Sequence, residues 1–185
     1  GVMGSGSNRV ISNCHNSGEI IGEDAVGGIL GSGTVLTSCS NSGTVTGVER
    51  VGGILGNGYT VKMCFNTGMV NGEVMVGGVA GRTNGYLQNS YNTGTITGIE
   101  EVGGLVGYCL KGNVRNCFNT GEVTGSELVA EVIGNNNGGE VGNCYYLVTD
   151  GDSELPDNNV NTVTGLPSEN FASGEVTWLL NEANT

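Results

Sequence analysis

The sequence predicts an all-β fold, a parallel β-helix (β-solenoid) of about five coils with three short strands per coil. Three observations predict it. Glycine supplies 36 of the 185 residues, aromatic residues make up only 5%, and one pattern of about 25 residues recurs along the chain. Repeated glycine without a Gly-X-Y triplet indicates stacked repeats and not collagen, and the apolar content of 37% is too high for a disordered chain.

Each repeat is anchored by a small residue, and the anchors are 25 to 27 residues apart. The anchors are Cys14, Cys39, Cys64, Ser90, Cys117 and Cys144. In the first five copies, asparagine follows two positions later, glycine four positions later and a β-branched apolar residue six positions later. A Val-Gly-Gly-Ile-Leu-Gly block or a variant of it comes next, and every insertion falls between its last glycine and the next anchor. This confinement predicts an exposed loop at one corner of the coil.

Three segments of each copy have the pattern of short strands: the residues around the anchor, the Gly-x-Val-x-Gly segment and the Val-Gly-Gly-Ile-Leu-Gly block. One such strand buries little, but equivalent strands stacked about 4.8 Å apart bury a continuous core. Glycine is expected at corners, where φ is positive or coils approach closely. We expect a right-handed helix. Besides the anchors, the predicted inward columns are Ile11/Leu36/Val61/Leu87/Val114/Val141, Ile20/Val45/Val70/Ile96/Val123 and Val26/Val51/Val76/Val102/Val129.

Residues 102–107 (Val-Gly-Gly-Leu-Val-Gly) and 117–125 (Cys-Phe-Asn-Thr-Gly-Glu-Val-Thr-Gly) resemble the GLUG repeat. The resemblance extends from residue 1 to about residue 147. GLUG repeats occur in secreted and surface-anchored bacterial proteins, including adhesin-like proteins and some immunoglobulin-A-cleaving metallopeptidases. The resemblance therefore implies a location outside the cell or at the bacterial cell surface. Because residues 1–4 match the end of the Val-Gly-Gly block, we expect the chain to be a fragment of a longer protein.

We expect two regions, GLUG-type repeats at residues 1–147 and an acidic loop with a capping segment at residues 148–185. The run from Leu166 to Glu169 is typical of a helix start, with Ser168 as the capping hydroxyl. A last coil otherwise exposes strand edges and core, so an apolar face after this start is expected to cover it. That face consists of Phe171, Val176, Trp178, Leu179 and Leu180.

The charge balance restricts the partners of the chain. Eighteen acidic residues against six basic ones give a formal net charge of −12, which excludes a phosphate-binding surface and hence nucleic acid. No apolar run approaches the roughly 20 residues that span a bilayer, so membrane insertion is not expected. The expected partners are a host or cell-surface protein or a glycan, and the isolated fragment is expected to be a monomer.

The anchor cysteines admit two interpretations, disulfides or a reduced packing column. Stacked equivalents have parallel Cβ vectors about 4.8 Å apart, beyond the usual disulfide range of about 3.5–4.5 Å. Ser90 in the same column also favours a small buried side chain. We predict free thiols, with Cys109, outside the column, as the exposed one. The asparagine column has two interpretations as well, a binding face or an amide ladder that satisfies turn backbone groups, and we favour the ladder.

Acidic residues collect in one turn and in one loop. The turn acids are Glu23, Asp24, Glu49, Glu73, Glu100, Glu101 and Glu127. We interpret them as a solvated ridge, with Ca²⁺ bridging as the alternative. The loop from Asp150 to Asp157 has alternating oxygen ligands but Leu155 in place of the EF-hand glycine, so we favour a plain acidic loop over a Ca²⁺ site. No cofactor is expected, and Ca²⁺ is the alternative.

Catalysis is not expected. The single histidine, His15, excludes a His-Glu-x-x-His site within this chain, and the acids lie in a turn and not in pairs on one face. The position after the anchor offers a possible binding strip of aromatic rings, although rings that merely pack a corner are the competing interpretation. The strip consists of Phe65, Tyr91, Phe118 and Tyr145. The sequence thus predicts a non-catalytic extracellular module, adhesin-like or a structural spacer; the alternative is a glycan-binding or glycan-active β-helix.

Overall fold

The computed structural model describes residues 2–148 and 163–173, and these residues form a parallel β-solenoid of about five coils, as predicted. The first strands in chain order are β1 (Met3–Ser12), β2 (His15–Asn16), β3 (Ile20–Ile21), β4 (Asp24–Gly27), β5 (Leu30–Thr37), β6 (Ser40–Asn41), β7 (Val45–Thr46), β8 (Glu49–Gly52), β9 (Leu55–Lys62), β10 (Phe65–Asn66), β11 (Val70–Asn71) and β12 (Val74–Gly77). There follow β13 (Ala80–Thr83), β14 (Tyr86–Gln88), β15 (Tyr91–Asn92), β16 (Ile96–Thr97), β17 (Glu100–Gly103), β18 (Val106–Cys109), β19 (Asn113–Asn119), β20 (Val123–Thr124), β21 (Glu127–Ala130), β22 (Ile133–Asn136), β23 (Glu140–Val148), β24 (Val163–Pro167) and helix α1 (Ser168–Ala172).

The strands stack into three parallel sheets of 14, 5 and 5 strands within the described residues. The two small sheets each collect one segment per coil, β3-β7-β11-β16-β20 and β4-β8-β12-β17-β21. The large sheet collects both the anchor strands and the segments that lead to the next anchor. Equivalent residues pair in register, as with Val45, Val70 and Ile96, so each predicted column is a real ladder.

The predicted inward columns form the core. Their central members, such as Leu36, Val70 and Val102, are fully buried, because a coil covers them on both sides. The end members Ile20, Val123 and Val129 are only partly buried, since one neighbouring coil covers them. The core is therefore continuous along the solenoid axis, which is how strands of two to ten residues become stable.

The Val-Gly-Gly-Ile-Leu-Gly block is not one strand, contrary to the sequence-based prediction. In the first copy, β4 ends at Gly27 and β5 begins at Leu30, so the chain bends between them. A Cβ atom on Gly27 would lie 2.1 Å from the Leu30 carbonyl oxygen, and one on Gly28 would lie 2.2 Å from the Gly53 carbonyl oxygen. The glycine pair is required by this close backbone packing at the bend.

Positive φ angles occur mainly at residues other than glycine, which corrects the expectation that glycines supply the positive-φ corners. Gly112 and Gly138 are the glycines with positive φ among the described residues. The position before the anchor and a position in the acidic turn adopt φ of 50–56° in successive coils: Asn13, Ser38, Met63, Asn89, Asn116 and Asn143, and Ala25, Arg50, Met75, Glu101 and Leu128. Asparagine tolerates this conformation best of the non-glycine residues. Asparagine precedes most of the anchors in the sequence, so the positive φ at this position could have been predicted.

The end of the described chain adds a strand and a short helix. Strand β24 pairs in parallel with β23, so residues predicted to be a loop and cap continue the stack. Helix α1 begins where expected, but Pro167 is its N-cap and no side chain caps it, so the prediction for Ser168 was wrong. Val176, Trp178, Leu179 and Leu180 lie outside the described residues. Among the residues that the structure describes, no helix is long and apolar enough to cross a membrane.

All six cysteines are free, as predicted. Cys109 was predicted to be the exposed thiol, and this is wrong: it is fully buried. The reason is that β18 continues the stack between β13 and β22, where Cys109 pairs with Thr83 and Asn136. Burial raises the pKa of the Cys109 thiol to about 11, so this cysteine is a packing residue and not a reactive one.

Candidate functional site

The residues that follow the anchors form an aromatic ladder on the outside of the large sheet. The rings of Phe65 and Tyr91 have centroids 4.9 Å apart, those of Tyr91 and Phe118 are 4.8 Å apart, and both pairs are within 3° of coplanar. Strands β10, β15 and β19 impose this spacing, because the ring separation is that of neighbouring strands in a sheet. The structure therefore brings together three of the four rings of the predicted strip as one stack.

The three rings of the ladder, Phe65, Tyr91 and Phe118, are each half-buried. Burial raises the pKa of the Tyr91 hydroxyl, in keeping with a ring enclosed by its stacked neighbours. Tyr145 occupies the next position of the column by backbone register and is also half-buried. A ring that is neither interior nor free offers one edge to a partner, and it loses little side-chain entropy when that partner binds.

A further ring, which the sequence reasoning assigned to the cap alone, reaches the ladder. Phe171 of α1 contacts Phe118 with a centroid distance of 6.0 Å and an interplanar angle of 54°. This tilted geometry is a favourable edge-to-face arrangement. The contact could not be anticipated from the repeat, because Phe171 lies outside it. The helix thus bounds the ladder at one end.

Polar side chains line both sides of the ladder. On one side, the amides of Asn89, Asn116 and Asn143 form a chain in which Nδ2 of each residue donates to Oδ1 of the previous one, at 3.2 and 3.3 Å. Asn89 and Asn143 are exposed, and Asn116 is half-buried. On the other side lie the exposed hydroxyls of Thr67 and Thr93. In the coil of Phe65 this position is the exposed Met63, so the first row is polar only beside Tyr91, Phe118 and Tyr145. An apolar strip flanked by hydrogen-bonding groups suits a ligand that has both apolar faces and hydroxyl or amide groups.

An inward amide ladder holds the ring-bearing strands at constant spacing. Nδ2 of Asn41 donates to Oδ1 of Asn66 at 2.8 Å, and Asn66 repeats this contact with Asn92 at 2.8 Å. Each amide also bonds the turn two residues later: Asn66 Nδ2 donates to the Gly68 carbonyl at 2.7 Å. Asn41, Asn66 and Asn92 are fully buried. The amide-ladder interpretation is correct, and this column is not a binding face.

At its amino-terminal end, the column of the aromatic ladder begins with a histidine–serine contact. The Nδ1 atom of His15 lies 2.9 Å from the Ser40 hydroxyl, and its Nε2 atom lies 3.5 Å from the Ser42 hydroxyl. A serine nucleophile activated by histidine needs a third group to orient the base. In the part of the chain that the structure describes, no carboxylate contacts His15. The contact is an exposed ladder pair and not an assembled triad.

The acidic turn does not converge into a metal site. Among residues 2–148 and 163–173, no group of three or more His, Cys, Asp or Glu side chains could hold a metal ion. Arg50 forms ion pairs with Asp24 and Glu49, and its hydrogen bond to Asp24 holds the pKa of that carboxyl below its ordinary value. The loop from Asp150 to Asp157 lies outside the described residues.

Glu101 departs from the solvated ridge that we predicted, because only 8% of its surface is exposed. Its Oε1 atom accepts a hydrogen bond of 2.6 Å from Asn135 in the next coil, whereas Oε2 is buried without a partner among the described residues. Burial is the main reason that its pKa is raised, and the negative charge of Glu100 adds to the shift. The positive φ of Glu101 and the coil above it explain why this acid is enclosed while its sequence neighbour is exposed.

Comparison with known proteins supports the repeat and the fold. The family model described as the GLUG motif matches residues 98–124. No curated protein matches the chain. The solved structure of a "putative immunoglobulin A1 protease" from Bacteroides ovatus is similar, with a TM-score of 0.67 and 20% sequence identity over 91% of this chain and 70% of that chain. At this identity the likeness shows a shared fold. Residues 98–124 are thus a GLUG motif set within a parallel β-solenoid, and the resemblance drawn from the repeats is confirmed.

Proposed function

We propose that the chain is a non-catalytic extracellular repeat module of a bacterial surface protein, which presents the aromatic ladder as an adhesin-like contact strip. The observation that carries the proposal is the set of three half-buried rings at 4.8–4.9 Å spacing on the outer face of the solenoid. Rigid aromatic rings provide large contact area at low entropic cost. Their partner is a glycan or protein at a cell surface.

Three further features support a module without its own chemistry. The GLUG motif does not indicate catalysis. The protease name of the similar Bacteroides ovatus structure describes that protein and not this chain. The His15 contact has hydroxyl groups on both ring nitrogens. The asparagine and valine columns repeat one residue type from coil to coil, which serves stacking and not the assembly of unlike catalytic groups.

The strip predicts weak binding by a single domain and stronger binding by an array. Three ring edges bury a small area, whereas many copies displayed together gain from a high effective concentration. The experiment therefore displays the domain multivalently on beads and measures binding to intact cells and to a glycan array. Tyr91→Ala removes the middle ring and is expected to lower the apparent affinity about tenfold, the loss that follows from about 1.4 kcal/mol at a central aromatic contact.

The matched control is Tyr86→Ala. Tyr86 is 51% exposed and lies in the same large sheet outside the ladder, so its loss should leave binding unchanged. Equal losses for the two variants would contradict a specific strip. If the folded wild-type domain binds neither cells nor glycans, the adhesive function is contradicted. The module would then serve as a structural spacer.

A further inference from the structure

A second candidate site lies away from the ladder, in a polar cavity of about 270 Å³ on the amino-terminal half of the large sheet. Four successive coils line it through two adjacent register columns. One is Ser5, Ser32, Asn57 and Arg82, and the other is Gly6, Gly33 and Gly58. Thr34, Tyr59 and Asn84 complete the lining. The glycine column leaves backbone groups open to a close approach by a ligand.

The first of these columns does not repeat. It reads Ser5, Ser32, Asn57, Arg82, Tyr108 and Asn135 along the solenoid, whereas the asparagine and valine columns keep one residue type. Stacking requires no such variety. Unlike polar side chains gathered on one face are what a binding site needs in order to recognise different atoms of one ligand.

The charge of Arg82 has no acidic partner among the described residues. Arg50 pairs with Asp24 and Glu49, and Arg115 pairs with Glu140. Arg82 instead donates from Nη1 to Oδ1 of Asn57 at 3.2 Å, and its guanidinium lies 5.9 Å from the ring of Tyr108. Within the described residues no carboxylate contacts it, although the chain has 18 acidic residues.

This arrangement prepares Arg82 to bind an anion. A neutral amide and an aromatic ring hold the guanidinium in place without satisfying its charge, so several of its N–H groups remain available. The planar N–H fork matches a carboxylate in bidentate geometry. Binding a carboxylate would supply the counter-charge that no described residue gives to Arg82.

The rest of the lining favours a sugar. Tyr59 is 53% exposed, and its ring is an apolar platform for the C–H face of a pyranose. Ser32, Thr34 and Asn84 provide hydroxyl and amide groups for sugar hydroxyls. The cavity volume lies just below the range of about 300–1,000 Å³ that small-molecule pockets occupy, which suits a single sugar ring. We infer that this cavity binds one acidic monosaccharide unit of a glycan, with its carboxylate on Arg82 and its ring against Tyr59.

The experiment is an NMR titration of the ¹⁵N-labelled domain with methyl β-D-glucuronide, and the matched neutral ligand is methyl β-D-glucoside. The glucuronide should shift the amide signals of residues 57–59 and 82–84 and the side-chain Nε–H of Arg82, with a Kd on the order of 1 mM. The glucoside should bind about tenfold more weakly, because it lacks the charge-assisted contact. Arg82→Gln should remove this difference between the sugars.

Two further variants separate the site from its surroundings. Tyr59→Ala should weaken both sugars alike, because it removes the ring platform and leaves the charge. Arg115→Gln, which changes an exposed arginine outside the cavity, and Tyr91→Ala in the ladder should leave the titration unchanged. The ladder proposal and this one therefore fail independently.

Three results would each overturn the inference. The first is that the wild-type domain does not prefer the glucuronide. This holds if the two sugars bind equally, or if the glucuronide shifts no amide signal up to about 50 mM, where a ligand of millimolar Kd is saturating. The second is a glucuronide affinity that Arg82→Gln leaves intact. The third is equal binding by N-acetylglycylglycine, whose carboxylate lacks a sugar ring, since this would identify a peptide-carboxylate site.

Discussion

The anchor side chains show why small hydrogen-bonding residues occupy one column of every coil. Each donates to the carbonyl two residues before it: Cys64 Sγ to Lys62 at 3.2 Å, and Ser90 Oγ to Gln88 at 2.9 Å. Cys64 Sγ and Ser90 Oγ also accept from the backbone N–H of the preceding anchor, at 3.3 and 3.1 Å. A serine hydroxyl makes both bonds that a thiol makes, which explains why Ser90 replaces cysteine without loss of the ladder.

The charge of Glu101 is poorly compatible with its surroundings, because one carboxylate oxygen is buried without a hydrogen-bond partner among the described residues. Its pKa is raised above the ordinary value of 4.5 in the folded state. A raised folded-state pKa means that the native protein holds the proton more tightly than the unfolded chain. The contribution of Glu101 to stability is therefore fully present below pH 4.5 and is lost as the pH rises through the raised pKa.

We expect Glu101→Gln to raise the free energy of unfolding at pH 7 by about 1 kcal/mol, because a neutral amide costs less to bury than a partly unpaired carboxylate. The gain should shrink as the pH falls toward 4.5, where the wild-type carboxyl is protonated as well. Urea denaturation at several pH values measures this. Glu127→Gln, at an exposed acid of the same turn, is the control and should show no such trend. A Glu101→Gln gain that is independent of pH would contradict the assignment.

At the scale of a strand and its corner, the spacing between coils is limited by backbone contacts at glycine. In the column four positions after the anchor, a Cβ atom on Gly68 would lie 2.1 Å from the Gly43 carbonyl oxygen. Gly18 occupies the same column in the first coil of the structure, and a Cβ atom there would meet only the Asn16 side chain at 3.9 Å. Neither glycine has positive φ, so the difference between them is one of space and not of backbone conformation.

Gly68→Ala is therefore expected to lower the free energy of unfolding by about 3 kcal/mol, because a backbone carbonyl cannot move aside as a side chain can. Gly18→Ala should change it by less than about 0.5 kcal/mol. Equilibrium urea unfolding, followed by circular dichroism, gives both values. Similar losses for the two variants would show that the glycine column acts through conformational freedom and not through the packing of coils.

Across the whole molecule, stability is the sum of contacts between neighbouring coils. Most strands pair with the equivalent strands in the coils directly above and below, as β11 does with β7 and β16. The repeat from Cys39 to Met63 begins and ends at equivalent corners, since Ser38 and Met63 share the same positive-φ position. A second copy of this repeat therefore has a defined place in the stack.

Insertion of a second copy of residues 39–63 after Met63 should give a longer, folded solenoid. The free energy of unfolding should rise by about 2 kcal/mol, from about 0.05–0.15 kcal/mol per residue, with a larger urea m-value because more surface is buried. Insertion of the same 25 residues in shuffled order is the control and should destabilise the protein. A duplicated protein that is less stable than the wild type would show that the coils are not interchangeable.

The sequence was sufficient to predict most contacts between equivalent residues of successive coils. Register, the buried valine and leucine columns, free cysteines, the asparagine ladder and the stacking of Phe65, Tyr91 and Phe118 all follow once equivalent residues are placed one strand spacing apart. The reason is that each of these contacts joins a residue to its own equivalent in the next coil. The period of the sequence therefore specifies which residues are in contact in the structure.

Only the tertiary structure decided the contacts between residues that are not equivalent. The bend after Gly27 and the enclosure of Glu101 by Asn135 depend on different columns meeting at a corner. The same holds for Phe171 against Phe118 and for the cavity around Arg82. Repeat spacing does not specify which columns become neighbours around the coil. That depends on where the backbone turns, and here the turns are made by residues other than glycine in the left-handed conformation and by glycine pairs that allow backbones to touch.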